Sequence, residues 1–207
     1  AAVLFIPLLV SMLWMTYARY LKKDQGNMVY HEVTAAFGTF SLLNLPDGSK
    51  VWLNAGSKLR YPEKFTGDMR KVDLTGEAYF EIHSDESSPF LVNTRDFTVR
   101  ATGTRFNVMA YQECNFPSVA LAEGKVTVKG KNQTSEKENG ILLKPDQLLK
   151  YNNLNGKMEI VNEDVYKYYA WKDGKLVFRN DLFTEVTKRI SIQYNVDIEI
   201  IGDNVKQ

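Results

Sequence analysis

The chain has 207 residues, 44% of them apolar and 12% aromatic, which is enough to build a core and too apolar for a disordered segment. Its 26 Lys and Arg against 25 Asp and Glu leave a net charge of +1, which excludes the strong basic field that nucleic-acid binding uses and also an acidic tail. One cysteine, Cys114, excludes an internal disulfide; with only His31 and His83 beside it and no C-x-x-C or H-x-x-x-H spacing, no metal or other cofactor is expected.

The first element is apolar. "AAVLFIPLLVSMLWMTYA" carries no charge, and at about 1.5 Å per residue it spans roughly 27 Å, which predicts a transmembrane helix over residues 1–18. Trp14 and Tyr17 suit the membrane interface, and Arg19, Lys22 and Lys23 form a polar flank. No small-residue cleavage site comes after it, so the segment is expected to stay attached, and with no initiating Met the natural protein is expected to begin upstream. Taken alone, the basic flank would place the domain after it in the cytoplasm. Residues 19–36 read as a juxtamembrane linker.

Residues 37–165 read as an all-β domain. "SKVWLN" points Val51 and Leu53 to one side, "EAYFEI" points Ala78, Phe80 and Ile82, and "PFLVNT" points Phe90 and Val92. "FTVRA", "RFNVMA", "SVALA" and "KVTVK" keep this period of two through Val99, Phe106, Val108, Val119, Leu121, Val126 and Val128. Turn signals at Asp47-Gly48, Ala55-Gly56, Gly67-Asp68, Thr75-Gly76, Gly103, Glu123-Gly124 and Gly130 recur about every ten residues or more, the spacing of a sandwich, barrel or solenoid. "KGKNQTSEKENG", residues 129–140, reads as an exposed, mobile hairpin loop.

After Tyr166 the pattern changes. "YYAWKDGKLVF" predicts a turn at Asp173-Gly174 and a strand through Leu176 and Phe178. "NDLFTEVTKRISIQYN" predicts an amphipathic helix with Leu182, Val186, Ile190 and Tyr194 on one stripe, widened by Phe183, a cap at Asn180 or Asp181, and Glu185 in the first turn. "VDIEII" alternates Val196, Ile198 and Ile200 inward as a second strand. One strand-helix-strand unit cannot bury both of its faces alone, so residues 166–207 read as a truncated α/β module.

The sequence offers few candidates for chemistry. Glu77 and Glu81 could be an acid and a base; on a strand, four residues at about 3.3 Å put them roughly 13 Å apart, beyond the about 5 to 9.5 Å of glycosidase pairs. Because Ala78, Phe80 and Ile82 form the apolar face, both glutamates are expected in water. "ATGTRFNV" has no lysine at phosphate-loop spacing and reads as a tight turn. No G-x-S-x-G elbow exists. A solvent-facing Trp52 or Trp171 would suit a sugar or protein contact.

"LPDGSKVWLNAGSKLRYPEKF", "RKVDLTGEAYFEI", "PFLVNT", "ATGTRFNVMAY", "LAEGKVTV" and "LLKPDQLLKYN" occur in one order from about Gly38 to Tyr151. Together they resemble the periplasmic part of FecR-type anti-sigma factors. The tail "YAWKDGKLVFRNDLFTEVTKRISIQYNVDIEI" is similar to the C-terminal domain that accompanies it, an STN-like domain related to the N-terminal domain of secretins and TonB-dependent transporters. The resemblance implies a mainly β, solenoid-like or sandwich periplasmic domain between one transmembrane helix and a partial βαβ module. It also implies a single-pass inner-membrane protein, periplasmic after about residue 20, that is not an enzyme. An upstream cytoplasmic region would hold an extracytoplasmic-function sigma factor, and the signalling domain of a loaded outer-membrane TonB-dependent transporter would dock on the C-terminal module. Gly76, Glu77, Phe80, Gly103, Thr104, Phe106, Asn107 and Gly124 correspond to signature residues of the fold. Trp171 and the edge Val196, Ile198 and Ile200 are the expected partner contacts. The competing expectations are a membrane-anchored carbohydrate-binding or adhesion protein using Trp52 or Trp171, and a surface hydrolase using Glu77.

Overall fold

A computed structural model of the chain describes residue 7 and residues 9–17, 28–114, 116–131 and 140–201. It divides into two units, Ala1–Tyr30 and His31–Gln207. In the first, residues 9–17 are helical (α1). The rest of the predicted span, residues 1–6, 8 and 18, and residues 19–27 of the predicted linker lie outside the described residues. Among the described residues no helix is long and apolar enough to cross a membrane.

The second unit is mainly β. Its strands are β1 (Tyr30–Thr34), β2 (Ser41–Asn44), β3 (Lys50–Leu53), β4 (Lys58–Pro62), β5 (Arg70–Glu81), β6 (Phe90–Asn93), β7 (Phe97–Ala101), β8 (Arg105–Ala110), β9 (Ser118–Glu123), β10 (Val126–Gly130), β11 (Ile141–Leu143), β12 (Leu148–Tyr151) and β13 (Met158–Val161). Each segment with a period of two from Val51 to Val128 is a strand, because alternation lets one face enter the core while the other stays wet. β1 falls inside the stretch read as a linker. The hairpin between β10 and β11 pairs Val126 with Leu143; residues 132–139 of its predicted loop lie outside the described residues.

The strands make one nearly closed, barrel-like sheet whose two halves share β5. One half runs β11-β10-β7-β6-β5-β4-β1 and the other β2-β3-β5-β8-β9-β12-β13. β5 is twelve residues long and changes halves along its length. Arg70–Asp73 lie parallel to β6 and Asp73–Thr75 antiparallel to β4, whereas Gly76–Glu81 pair with β8 and Ala78–Glu81 with β3. The turn expected at Thr75-Gly76 is therefore the corner of a continuous strand. Gly76 makes it possible: its φ is +99°, and a Cβ there would stand 2.3 Å from the Ser57 hydroxyl oxygen.

The two halves face each other across a single apolar core. Phe80 stacks on Phe106 at 5.1 Å and meets Phe90 of the opposite half at 6.2 Å; Phe97 meets Tyr151 at 6.0 Å. Val51, Leu53, Leu59, Val92, Val99, Val108, Leu121, Val128 and Leu143 are fully buried around them, each side chain contributing about 1.5–3 kcal/mol. Arg70 pins one end of this core. It is 3% exposed, and it pairs with Asp47 at 2.6 Å while donating to the carbonyls of His83 and Ser88.

The C-terminal segment departs from the expected strand-helix-strand. It holds a short helix α2 (Tyr166–Tyr169), a 3-10 turn over Ala170–Asp173 and a helix α3 (Phe183–Tyr194). The turn at Gly174 and the central helix are as expected. The stretches through Leu176 and Phe178 and through Val196, Ile198 and Ile200 form no strand, because neither has a neighbouring strand to supply a ladder. Asp181 does not cap α3; its carboxylate instead accepts from Lys167 and from the Arg179 backbone, and the cap residue is Leu182.

Candidate functional site

The polar residues collect where the C-terminal segment covers the outer face of β3, β5, β8 and β9. Val165, Tyr168 and Tyr169 pack on Ala120 and Leu148, and the ring of Tyr169 lies 5.3 Å from that of Tyr79. This cover overturns the expectation that Glu77 faces water: Glu77 is 7% exposed. The sequence period identifies which face meets the first core, but a second covering layer from residues 165–173 buries the other. Glu81, beyond the cover, stays partly exposed, with Arg105 Nε 3.8 Å away.

Both oxygens of Glu77 are held. Asn54 Nδ2 donates to Oε2 and Asn107 Nδ2 to Oε1, each at 2.8 Å. The turn after β3 delivers Asn54, and the register that pairs Tyr79 with Asn107 delivers the second amide. The amides cannot flip freely, since the Asn54 carbonyl oxygen accepts from the Ala55 N–H at 2.8 Å and that of Asn107 from Trp171 Nε1 at 3.3 Å. The Glu77 N–H donates to Ser57 Oγ at 2.7 Å, and Ser57 Oγ donates to the Tyr111 hydroxyl. Burial pushes the Glu77 carboxyl above the ordinary carboxylate range, while the Arg189 charge and the hydrogen bonds of Asn107, Asn54 and Trp171 pull part of the way back. Such an arrangement fixes the orientation of the carboxylate while leaving part of it at the wall of a cavity.

Trp171 completes this chain from the other side. It is 1% exposed, so the expectation of Trp171 as a surface contact for sugar or partner is corrected: it is the largest side chain sealed between sheet and C-terminal segment. Trp52 is half-buried, edge-on to Tyr79 at 5.8 Å, with the Lys172 ammonium 5.8 Å from its ring.

Beside this cluster lies an open cavity of about 660 Å³, its lining including Glu77 and Met109 of the sheet, Lys167 and Tyr168 of α2, and Arg189 of α3. Lys167 is 5% exposed and contacts Glu163 at 2.8 Å and Asp181 at 2.7 Å. Glu163 also receives Lys150 at 2.6 Å and the Tyr168 hydroxyl at 2.8 Å. Partial burial pushes the Glu163 carboxyl up, but the hydrogen bonds from Lys150, Lys167 and Tyr168 outweigh it and hold the group at about 2.

The other signature residues separate into two places. Phe80 and Phe106 form the core stack. Gly103, Thr104 and Gly124 sit together at the far end of β8, where a Cβ on Gly103 would stand 2.7 Å from Ser84 Oγ and one on Gly124 2.6 Å from the Thr104 methyl. The buried Thr104 hydroxyl has no hydrogen-bond partner among the described residues. Val196 and Ile198 are 44% and 39% exposed and Ile200 is half-buried; none of them reaches the cluster. Asn54, Tyr111, Glu163, Lys167 and Arg189 escape a reading of the sequence. Asn54 lies within a quoted motif, yet nothing local distinguishes a ligand of Glu77 from a turn asparagine. Arg189 stands on the polar side of α3, the side expected in solvent.

Known proteins share this fold. The family model described as FecR protein matches residues 31–127. Two crystal structures of a protein from Parabacteroides distasonis ATCC 8503, assigned as an anti-sigma factor, are similar to this chain at 38% identity. One covers 81% of this chain and 76% of its own with a TM-score of 0.74, the other 80% and 75% with 0.73. No curated protein matches the chain. With more than a third of residues identical over three quarters of a solved relative, the chain belongs to the FecR protein family.

Proposed function

We propose that the chain is the sensing part of an anti-sigma factor, a regulator that converts an extracytoplasmic contact into release of a sigma factor. Its family membership, with 38% identity to the Parabacteroides protein assigned as an anti-sigma factor, carries this reading. In the proposal residues 1–18 cross the inner membrane, the domain after about residue 20 lies in the periplasm, and an upstream cytoplasmic region holds an extracytoplasmic-function sigma factor.

The input is the signalling domain of an outer-membrane TonB-dependent transporter, received on the C-terminal segment as an incomplete STN-like module. Support comes from apolar residues that find no partner in this fold. Leu182, Phe183, Tyr194, Val196, Ile198 and Ile201 are exposed by 39–85%, although the sequence alternates and stripes them as if for burial. A segment such as Val196–Ile201, which belongs to no strand ladder among the described residues, fits recognition by strand addition.

The test is a transcriptional reporter for the sigma factor in the native host. Deleting residues 182–201 fixes the reporter at one level whether or not the transporter's ligand is supplied. A reporter that still responds fully to ligand would refute the assignment of input to this segment, and one unaffected by deletion of the whole gene would refute the anti-sigma role.

A further inference from the structure

The cavity between the sheet and the C-terminal segment is lined by charges of both signs, some of which form no close ion pair among the described residues. At about 660 Å³ it falls within the roughly 300 to 1,000 Å³ of small-ligand sites. Many charges on its wall pair with each other: Lys150 and Lys167 with Glu163, Lys167 with Asp181, and Arg179 with Asp164. Arg189, Glu77 and Glu185 also line it, and none of the three has an ion-pair partner among the described residues.

Arg189 is held in place by carbonyl oxygens, and its charge acts on Glu77 without a close ion pair. Its guanidinium donates to the Lys167 carbonyl at 2.9 Å and the Val177 carbonyl at 3.3 Å, and its Cζ lies 5.0 Å from the Phe178 ring centre. Carbonyl oxygens fix a guanidinium without cancelling its charge, which leaves a planar donor fork suited to a carboxylate. Glu77 and Glu185 supply the opposite sign, and an adjoining smaller cavity is lined by the same three residues. Met109 and the exposed Phe116 and Leu182 also line the larger cavity.

We propose that this cavity binds a small zwitterion of the α-amino-acid class, its carboxylate on Arg189 and its ammonium toward Glu77 and Glu185. A simple anion would set itself against the two glutamates and a simple cation against Arg189, whereas a molecule with both charges a few atoms apart meets both signs. Met109 and Phe116 offer an apolar surface to its side chain. Since Glu77 belongs to β5 while Arg189 and Glu185 belong to α3, the bound solute bridges the sheet and the C-terminal segment. An ammonium beside Glu77 also opposes the burial that raises its carboxyl, so affinity improves as pH rises through that raised value. The other groups facing Glu77 are Asn54, Asn107, Trp171, Tyr111 and Cys114.

The experiment is calorimetric and thermal titration of the whole chain, its apolar N-terminus held in a detergent micelle, with free L-amino acids one at a time and with acetate and ethylamine as single-charge controls. At least one amino acid is expected to bind and raise the melting temperature while both controls fail at equal concentration. Arg189→Gln weakens that binding by about tenfold or more, and Met109→Trp, which fills the cavity from the sheet side, abolishes it. Absence of binding by every amino acid at millimolar concentration, equal binding of acetate, or affinity unchanged in both variants overturns the proposal. None of these outcomes bears on the reporter test of the anti-sigma reading.

Discussion

Glu77 shows how one side chain can look like surface and act as an anchor. Its two amide donors are locked by acceptors of their own, so replacing the carboxylate by an amide sets an NH₂ group against an N–H. Glu77→Gln is accordingly expected to cost about 1–3 kcal/mol in urea denaturation. Trp171→Phe, which loses the bond to Asn107 and leaves a cavity where the larger indole packed, is expected to cost about 1–3 kcal/mol; equal stability of the two proteins would show that neither the indole N–H nor its packing contributes. Gly76→Ala places a methyl carbon 2.7 Å from the Ser57 backbone Cα as well as at φ +99°, and a loss of at least about 3 kcal/mol, or failure to accumulate folded, is expected. The importance of Gly76 and Glu77 was legible in the motif "LTGEAYFEI", but their reasons were not. A period of two reports which residues alternate, and carries no information on whether a later segment of chain will cover the outer face.

The same limit governs the elements. From Val51 to Val128 the strands were readable because both sheet halves turn one apolar face to a common core. The C-terminal segment was not, because α3 is attached through polar contacts, Arg189 to the Lys167 carbonyl of α2 and Lys188 to the Glu113 carbonyl in the loop after β8 at 2.8 Å, while Leu182, Phe183 and Tyr194 are exposed. A stripe of apolar residues announces a helix without announcing its partner. Attachment through ions has a pH signature. The Glu163 carboxyl lies near 2 in the fold against 4.5 as the ordinary value, so its stabilising contribution is complete above about 4.5 and is lost as pH falls toward about 2. Hydrogen exchange across this range should show residues 163–181 opening before β8 and β9; simultaneous loss of both would refute an ionic attachment. Arg70 does comparable work at the other end, tying Asp47 and the loop before β6 to the start of β5. Arg70→Met leaves the half-buried Asp47 carboxylate with only its Ser49 hydrogen bonds and is expected to lower stability by about 3 kcal/mol.

At the scale of the molecule, sharing β5 removes the weak plane that an ordinary sandwich has between its sheets. Neither half can be peeled from the other without breaking hydrogen bonds of a strand that belongs to both. The free edges are elsewhere, at β1, β2, β11 and β13. The sheet, residues 31–161, is thus expected to unfold in one transition, with the amides of Val72 to Phe80 exchanging last; two separated transitions within it, or early exchange in β5, would contradict this. For a protein whose work is to transmit a disturbance, the corner at Gly76 also fixes what kind of message can travel. A displacement of the C-terminal segment enters the sheet at Glu77, one residue from the point where the strand crosses over. Beyond that point the chain has no slack, and what reaches β4 and β1 is a pull along a taut covalent line, rather than the loosening of one layer against another.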